Sequence, residues 1–206
     1  MAFQFSDALV LVFAKAPVAG QVKTRLVPQL GADAAAALHA RLVERTLQTV
    51  CSAKLAETEL WCAPDCSHDF FQNAAEKYRA SLHAQSGEDL GLRMHHAFVD
   101  ALQRKSRAVL IGTDCPVLDY SYLRQALAAL DGPCDLVLGP AEDGGYVLIG
   151  LRRPVAGLFD SVPWGTHAVL AETLERAHAL GLKSHLLPVL WDVDRPADVA
   201  RMLQLP

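Results

Sequence analysis

Hydrophobic and polar positions along the chain alternate between the period of a buried strand and that of an amphipathic helix. Ala8 to Ala14 is a continuous apolar run, typical of a strand covered on both faces. From about Ala32 to Lys54, apolar residues recur at helical spacing and form one stripe that can pack on a sheet. The same patterns predict further strands at 57–62, 80–85, 107–112, 135–138, 146–151 and 184–190, and further helices at 66–77, 89–103, 120–130, 167–180 and 196–203.

This alternation predicts an α/β fold, a three-layer αβα sandwich around a mainly parallel, Rossmann-like sheet. No Pro/Gly/Ser-rich linker, low-complexity run or fixed-period repeat interrupts the chain, so we expect a single domain over residues 1–206. Ligands of such sheets bind beyond the carboxyl ends of the strands. The loops that follow strands are therefore the places to look for chemistry.

Charge and composition exclude several classes of protein. The chain has 19 Lys+Arg against 23 Asp+Glu, a net charge of −4, and its basic residues are scattered, which argues against nucleic-acid binding. Its longest apolar run is too short to span a membrane, and no secretory signal is visible. Five cysteines form no even framework, which favours reduced thiols in a cytoplasm.

The loop after the first strand carries groups that suit a phosphate. Gly20 lets backbone N–H groups approach closely, Lys15 and Lys23 supply point charges, and Arg25 supplies a planar fork. Gly20 and Lys23 are separated by only two residues, so this is not a Walker A loop. The alternative is that these charges only solvate a surface loop.

Two later loops carry carboxylates beside glycines. Asp114 lies between Gly112 and Pro116, where it could face a hard divalent cation or simply form an Asx turn or helix cap. Asp143 precedes Gly144 and Gly145, which would let a ligand approach the main chain. Asp143 could bind a metal, orient an acceptor hydroxyl or act as its base, whereas a purely structural hairpin turn is the alternative.

Carboxylates also follow the last predicted strand, at Asp192 and Asp194. We expect Asp194 rather than Asp192 to complete a two-carboxylate magnesium site with Asp114, and Asp198 to be an acid in the first turn of the last helix. Capping of that helix is an equal alternative. The segment from Gln85 to Arg93 follows another strand and could touch a base or ribose, although capping of the next helix explains much of it.

Five motifs occur in order along the chain: Lys-Thr-Arg-Leu at 23–26, Gly-x-Asp-Leu-Gly-x-Arg-Met at 87–94, Gly-Thr-Asp-Cys-Pro at 112–116, Asp-Gly-Gly-Tyr at 143–146 and Trp-Gly-Thr at 164–166. With them the chain resembles the nucleotide-diphospho-sugar transferase superfamily, which has the fold of type-A glycosyltransferases. It is most similar to a bacterial family of glycosyltransferases associated with radical-SAM and arsenosugar gene clusters. The first motif also resembles the Lys-Ser-Arg-Leu segment of phospholactate guanylyltransferase.

The resemblance implies a Mg²⁺- or Mn²⁺-dependent transferase that moves a sugar from a nucleotide-sugar to a small acceptor. Nucleotidyl transfer to a phosphorylated small molecule and a non-catalytic nucleotide-binding module are the alternatives, and a homodimer is left open. Asp143 and Lys23 would be catalytic, and Asp114 and Asp194 would hold the metal. Nucleotide and substrate would contact Lys15, Gly20, Lys23, Thr24, Arg25, Gln85, Gly87, Arg93, Thr113, Gly144, Gly145, Tyr146 and Trp164.

The chain also departs from the superfamily's patterns at two places. It has Phe-Ala-Lys-Ala-Pro at 13–17 instead of the glycine-rich opening of many nucleotidyltransferases. At 113–115 it offers one carboxylate where many glycosyltransferases have two. The first departure weakens the case for nucleotidyl transfer to a sugar phosphate, and the second bears on how strongly a metal is held.

Overall fold

A computed structural model describes residues 3–205 and contains one seven-stranded sheet in that part of the chain. The strands are β1 (Ala8–Lys15), β2 (Glu57–Ala63), β3 (Ser81–Ala84), β4 (Arg107–Ile111), β5 (Leu136–Pro140), β6 (Tyr146–Leu151) and β7 (Ser184–Leu186). Their order in the sheet is β3-β2-β1-β4-β6-β5-β7. β6 runs antiparallel to both of its neighbours, and the other pairs are parallel.

Helices cover both faces of this sheet. The helices are α1 (Val27–Leu30), α2 (Ala32–Ala53), α3 (Asp69–Tyr78), α4 (Leu90–Arg104), α5 (Tyr120–Asp131), α6 (Val169–Ala179) and α7 (Pro196–Met202). Alternate residues of β1 face opposite helix layers, which explains why its sequence is apolar throughout: Val10 and Val12 pack in the cluster with α2, α3 and α5, whereas Leu9 and Leu11 pack with α4 and α6. The predicted αβα sandwich with a mainly parallel sheet is confirmed.

The connection between β5 and β6 is the hairpin that the Asp-Gly signal allowed. Ala141 N–H donates to the carbonyl of Gly145 at 3.0 Å, and the turn reverses the chain so that β6 is antiparallel. The predicted strand at 184–190 is shorter, because pairing with β5 stops at Leu186 and resumes only as an isolated bridge between Ala141 and Leu190. Both irregularities lie near the carboxyl edge of the sheet, next to the loops singled out above.

Aspartates lie at the starts of α4, α5 and α7. Asp89 accepts a hydrogen bond from the backbone N–H of Leu92 at 2.8 Å, and Asp119 accepts one from Tyr122 at the same distance. Asp198 lies in the first turn of α7. Of the helices described, none could span a membrane.

Candidate functional site

A cleft of about 420 Å³ lies beyond the carboxyl ends of β1 and β4. The loop after β1, the Asp114 loop after β4 and the segment before α7 form its walls. Predicted site residues from four separate stretches of the chain therefore meet at one place. Those that line this cleft are Lys15, Lys23, Thr24, Arg25, Gln85, Thr113, Asp114 and Asp194.

Lys23 is the most enclosed of the basic side chains in this cleft, only 4% exposed. Its backbone is left-handed, with φ of 48°, after a turn in which Gly20 has φ of 79°. This conformation directs the Lys23 ammonium inward, where it lies 2.6 Å from Asp114 Oδ1. The same ammonium donates to the carbonyl of Val193 at 2.5 Å. One lysine thus joins the loops after β1 and β4 to the segment before α7.

Asp114 presents two different oxygens. Its Oδ1 atom is inaccessible to solvent and makes no well-aligned hydrogen bond within residues 3–205, so the ammonium of Lys23 is its charge partner. The side chain as a whole is nevertheless 48% exposed toward the cleft. The backbone N–H of Val193 donates to the Asp114 carbonyl at 2.8 Å and fixes the loop. One carboxylate oxygen is held, and the rest of the group is accessible to a ligand.

Arg25 pairs with the Asp194 carboxylate, and this ion pair separates the first cleft from a second one. The second cleft has a volume of about 450 Å³. Asp198 accepts hydrogen bonds from the backbone N–H groups of Asp194 at 3.1 Å and Arg195 at 2.6 Å, so it caps the segment that carries the pair. The second cleft is lined by Arg25, Glu142, Asp143, Gly165, Thr166, His167, Trp191, Asp192, Asp194, Arg195 and Asp198.

Asp143 and Asp192 are two acids of the second cleft that form no ion pair within residues 3–205. Asp143 Oδ1 accepts the backbone N–H of Gly145 at 2.9 Å, which fixes the carboxylate within its turn. Burial, together with the negative charges of Asp143 and Asp114, raises the pKa of Asp192 to about 6. Asp192 thus lies within electrostatic reach of Asp114, whereas the expected Asp194 lines the first cleft together with Asp114.

Gly144 sits where no larger residue fits the existing backbone. Its φ is +89°, and a Cβ there would lie 2.1 Å from the carbonyl oxygen of His167. The carbonyl of Gly144 also accepts the backbone N–H of Leu170 at 2.9 Å. Gly144 therefore fastens the hairpin to the start of α6, and a Cβ on the adjacent Gly145 would lie 3.2 Å from Asp143 Oδ1. Contact of either glycine with a ligand stays a prediction.

His39 was not selected from the sequence, yet it lines the first cleft. Its side chain is 7% exposed, with Nε2 3.0 Å from the carbonyl of Lys15 and Nδ1 3.9 Å from Asp114 Oδ1. A carbonyl only accepts, so Nε2 carries the hydrogen. Burial lowers the pKa of His39 and favours the neutral ring. The only sequence signal was a polar residue inside the apolar stripe of α2.

Gln85 closes the first cleft on the β3 side. Its Nε2 donates to the carbonyls of Trp61 at 2.9 Å and Ala14 at 3.4 Å, so the amide ties together the ends of β1 and β2. Because both partners are carbonyls, the amide orientation is fixed and its oxygen is not used in these bonds. Gln85 can thus offer a hydrogen-bond acceptor to a ligand in the cleft.

Gly87 and Arg93 lie to one side of this cleft. Arg93 Nε donates to the carbonyl of Gly87 at 2.9 Å, and Gly87 has φ of +139°. Arg93 lines a smaller cavity of about 230 Å³ together with Lys15 and Gln21, which also line the first cleft. The Gly87–Arg93 contact supports the loop before α4, so the structure places this pair beside the first cleft.

The two aromatic residues expected to contact nucleotide or substrate pack into the protein. The hydroxyl of Tyr146 is inaccessible to solvent, and burial raises its pKa. Trp164 is partly buried against Gly91, where an added Cβ would lie 2.8 Å from the indole, and its ring centroid is 6.5 Å from that of Phe159. Neither aromatic residue is among those that line the first two clefts.

One further group of potential metal ligands occurs within residues 3–205, away from both clefts. Atoms of Glu59, His83 and Asp100 lie within 4.8 Å of one another. Glu59 is already bound by the Arg104 guanidinium, with one contact of 2.5 Å, and accepts the indole N–H of Trp61 at 3.1 Å. A cation there would compete with a guanidinium, so we assign this cluster to the packing of α4 on β2.

Comparison with known proteins places the chain in a family. Residues 46–166 match the family described as "Uncharacterized protein conserved in bacteria (DUF2064)". A solved structure from Desulfovibrio desulfuricans G20, of a protein assigned to the nucleotide-diphospho-sugar transferases, is 34% identical with a TM-score of 0.84 and covers 92% of this chain and 83% of its own. The chain belongs to the DUF2064 family and has the nucleotide-diphospho-sugar transferase fold. Among curated proteins, none matches it.

More distant structures share the fold at low identity. The inositol-1-phosphate CTP transferase from T. maritima is 13% identical with a TM-score of 0.63, covering 98% of this chain and 96% of its own. Glucosyl-3-phosphoglycerate synthase from Mycobacterium tuberculosis, solved with Mn²⁺, UDP and glucosyl-3-phosphoglycerate, is 14% identical with a TM-score of 0.57, covering 96% and 76%. Both nucleotidyl- and glycosyltransferases therefore have this fold.

Proposed function

We propose that this protein is a nucleotide-using transferase that moves a glycosyl group from a nucleotide-sugar to a small acceptor. The observation that carries the proposal is the pair of adjoining clefts at the carboxyl edge of the sheet. The first cleft has a basic loop, with Lys23 and Arg25, and the second has the carboxylate of Asp143. The 34% identity to a protein assigned to the nucleotide-diphospho-sugar transferases supports a nucleotide-sugar as the donor.

In this proposal the donor occupies the first cleft. Lys23 and Arg25 bind the diphosphate, because an ammonium and a guanidinium complement phosphate oxygens. Gln85 and the exposed Leu90 line the same cleft. There they offer one hydrogen-bond acceptor and one apolar surface to the nucleoside. The sugar then extends past the Arg25–Asp194 pair toward the second cleft.

The carboxylates of the site fit a divalent cation. Asp114 keeps part of its carboxylate accessible, and the negative charges of Asp114 and Asp143 raise the pKa of Asp192, a repulsion that a cation would relieve. Asp114 with Asp194, and Asp192 as a further candidate, would hold Mg²⁺ or Mn²⁺. When bound, the ion would neutralise the diphosphate and so stabilise it as a leaving group.

Asp143 is the residue we assign to the acceptor. The Gly145 N–H fixes its carboxylate, and no cation within residues 3–205 pairs with it, so the carboxylate is free to accept a hydrogen bond from an acceptor hydroxyl. As the acceptor oxygen bonds to the anomeric carbon of the sugar, the bond from that carbon to the diphosphate breaks, the nucleoside diphosphate leaves, and Asp143 takes up the proton that the acceptor oxygen loses. Holding both reactants at one edge of the sheet supplies the orientation that such a transfer requires.

A second candidate is nucleotidyl transfer from a nucleoside triphosphate to a phosphorylated molecule. The likeness to the inositol-1-phosphate CTP transferase favours it, since almost the whole length of both chains is covered. The products separate the two reactions. Nucleotidyl transfer releases pyrophosphate, whereas glycosyl transfer releases a nucleoside diphosphate.

The test is a two-stage assay on the purified chain. Thermal-shift titrations with nucleotide-sugars and with nucleoside triphosphates, each with and without Mg²⁺, identify the donor, because a ligand at 100 times its Kd adds about 2.7 kcal/mol of stability. Turnover of that donor is then measured with an acceptor library. Asp143→Asn should lower the rate about 100-fold or more with little change in donor affinity.

The exposed Asp33, in the first turn of α2, offers a matched control. Asp33→Asn should leave both donor affinity and turnover at the wild-type level. A shift with triphosphates alone, together with pyrophosphate release, would replace the proposal by nucleotidyl transfer. A folded protein that binds donor but never turns it over would instead support a non-catalytic binding module.

A further inference from the structure

The basic residues expected to bind phosphate and the acids expected to hold a metal are paired with each other. Lys23 is paired with Asp114, and Arg25 with Asp194. From these pairs, and resting on the proposed function, we propose that the Lys23 ammonium is a resident cation of the Asp114 carboxylate, and that a phosphate and a divalent metal displace it together rather than singly. Free nucleotide and free cation then each bind weakly, and each strengthens the binding of the other.

Phosphate alone would break a buried contact without replacing it. The Lys23 ammonium is the charge partner of Asp114 Oδ1, an atom that water does not reach. When a phosphate draws the ammonium away, that oxygen is left without a partner, and an unpaired buried charge is unfavourable. A free nucleotide therefore binds against this penalty.

A divalent cation alone meets the opposite obstacle. Asp114 already has a positive charge 2.6 Å from Oδ1, and Lys23 also donates to the carbonyl of Val193. A cation binding at Asp114 would face repulsion from this ammonium, because the enclosed side chain is screened little by water. The nucleotide-free protein therefore has its own resident cation at this carboxylate.

The metal–nucleotide complex removes both penalties in one exchange. Lys23 and Arg25 then pair with the phosphate oxygens, and the carboxylates of Asp114 and Asp194 bind the metal. Every charge therefore keeps a partner. The two pairs contribute unequally. Lys23 is 4% exposed, whereas Arg25 is 60% exposed and Asp194 34%, and exposed ion pairs contribute little. Lys23 is therefore the main source of the coupling.

Coupling between two ligands is reciprocal, which gives two independent measurements of one quantity. The Kd of a nucleoside diphosphate is measured by calorimetry for UDP, GDP, CDP and ADP, with and without saturating Mn²⁺. The Kd of Mn²⁺ is measured by electron paramagnetic resonance, with and without the diphosphate that binds best. Each pair of measurements gives a coupling ratio, the Kd without the second ligand divided by the Kd with it. For the wild type we expect the two coupling ratios to agree and to be about tenfold or more.

Variants then locate the coupling. Lys23→Met should bind Mn²⁺ alone more tightly than the wild type and reduce the ratio to about threefold or less, whatever happens to diphosphate affinity itself. Arg25→Gln, at an exposed position, should reduce the ratio less and is the second variant if Lys23→Met does not fold. Lys77→Met is the matched control, because Lys77 forms an exposed pair with Glu44 at 3.3 Å outside the clefts.

The outcomes separate this inference from the proposed function. If the wild type binds free and Mn²⁺-loaded diphosphate equally well, or if Lys23→Met keeps the full ratio, the inference is wrong while nucleotide binding stands. Mn²⁺ binding that weakens in Lys23→Met also overturns it, since a resident cation would then not be competing. Failure of every nucleotide and nucleotide-sugar to bind would overturn the proposed function itself.

Discussion

A buried basic side chain lies among acids near each end of β4, but the two arrangements differ. At the amino end, Arg107 is 11% exposed and donates to Asp7 at 2.6 Å and to Asp131 at 2.5 Å. Its hydrogen bonds, with one from Ser106, lower the pKa of Asp7. These acids have matched partners, and neither lines the two clefts at the other end of the sheet.

At the carboxyl end the charges are not balanced. Lys23 pairs with Asp114, but Asp143 and Asp192 lie nearby and form no ion pair within residues 3–205, and the pKa of Asp192 is raised rather than lowered. Two clefts open at this end. The pKa of Asp7 is lowered at the amino end, and the pKa of Asp192 is raised at the carboxyl end. We therefore assign the amino-end cluster to the stability of the fold and the carboxyl-end cluster to binding of a charged ligand.

Removing Arg107 should give the largest change in stability. Arg107→Met deprives two acids of charge-assisted hydrogen bonds, and we expect a loss of about 3 kcal/mol in the free energy of unfolding, measured by guanidinium titration at pH 7. Affinity for the metal–nucleotide complex should not change in the folded fraction. A variant that kept its stability but lost nucleotide binding would reverse the roles assigned to the two ends.

A substitution in the turn between β5 and β6, beside the second cleft, should give the next largest loss of stability. Gly144→Ala places a Cβ against the His167 carbonyl and strains a backbone with φ of +89°, so we expect a loss of about 2 kcal/mol and reduced transfer. Gly181→Ala is the control, since its φ is +68° with no atom within 4 Å of the added Cβ. Equal losses in both variants would show that only backbone strain matters.

Asp192 should give the smallest effect, with the opposite sign and a pH dependence. Its pKa rises from 3.8 unfolded to about 6 folded, so wild-type stability falls as pH rises through this window and stays reduced above it. Asp192→Asn should therefore be more stable than the wild type by about 1 kcal/mol at pH 8, a reduced figure because the side chain stays partly hydrated. The difference should vanish below about pH 4, as denaturation at several pH values would show.

Much of the sheet could be predicted because burial on both faces leaves a direct signature. The apolar run from Ala8 to Ala14 needed only a window of residues to be interpreted as a central strand. The direction of β6 could not be obtained in this way, since hydrophobic periodicity is the same for parallel and antiparallel strands. Only the Asp143–Gly144 turn signal pointed to the reversal.

The position of the candidate site could be predicted where its residues follow strands. Lys23, Arg25, Asp114 and Asp194 were singled out for that reason, and the structure brings them together in one cleft, while their roles stay predictions. The ion pair between Lys23 and Asp114 could not be predicted, because Lys23 has a left-handed backbone that a non-glycine residue rarely adopts. His39 was missed because a histidine within an apolar helical stripe gives no sign of which loop it faces.

The pairing of β1 with β4 has a consequence for how the protein folds. Ala8 aligns with Arg107, so the central contact of the sheet joins residues about a hundred positions apart, and such contacts form slowly because a long loop must close first. The Lys23 and Asp114 loops leave these two strands, and the remaining acids arrive with the last segments of the chain. A chain that ends before these last segments therefore lacks Asp192 and Asp194, and we expect nucleotide binding to appear only in the last kinetic phase of refolding.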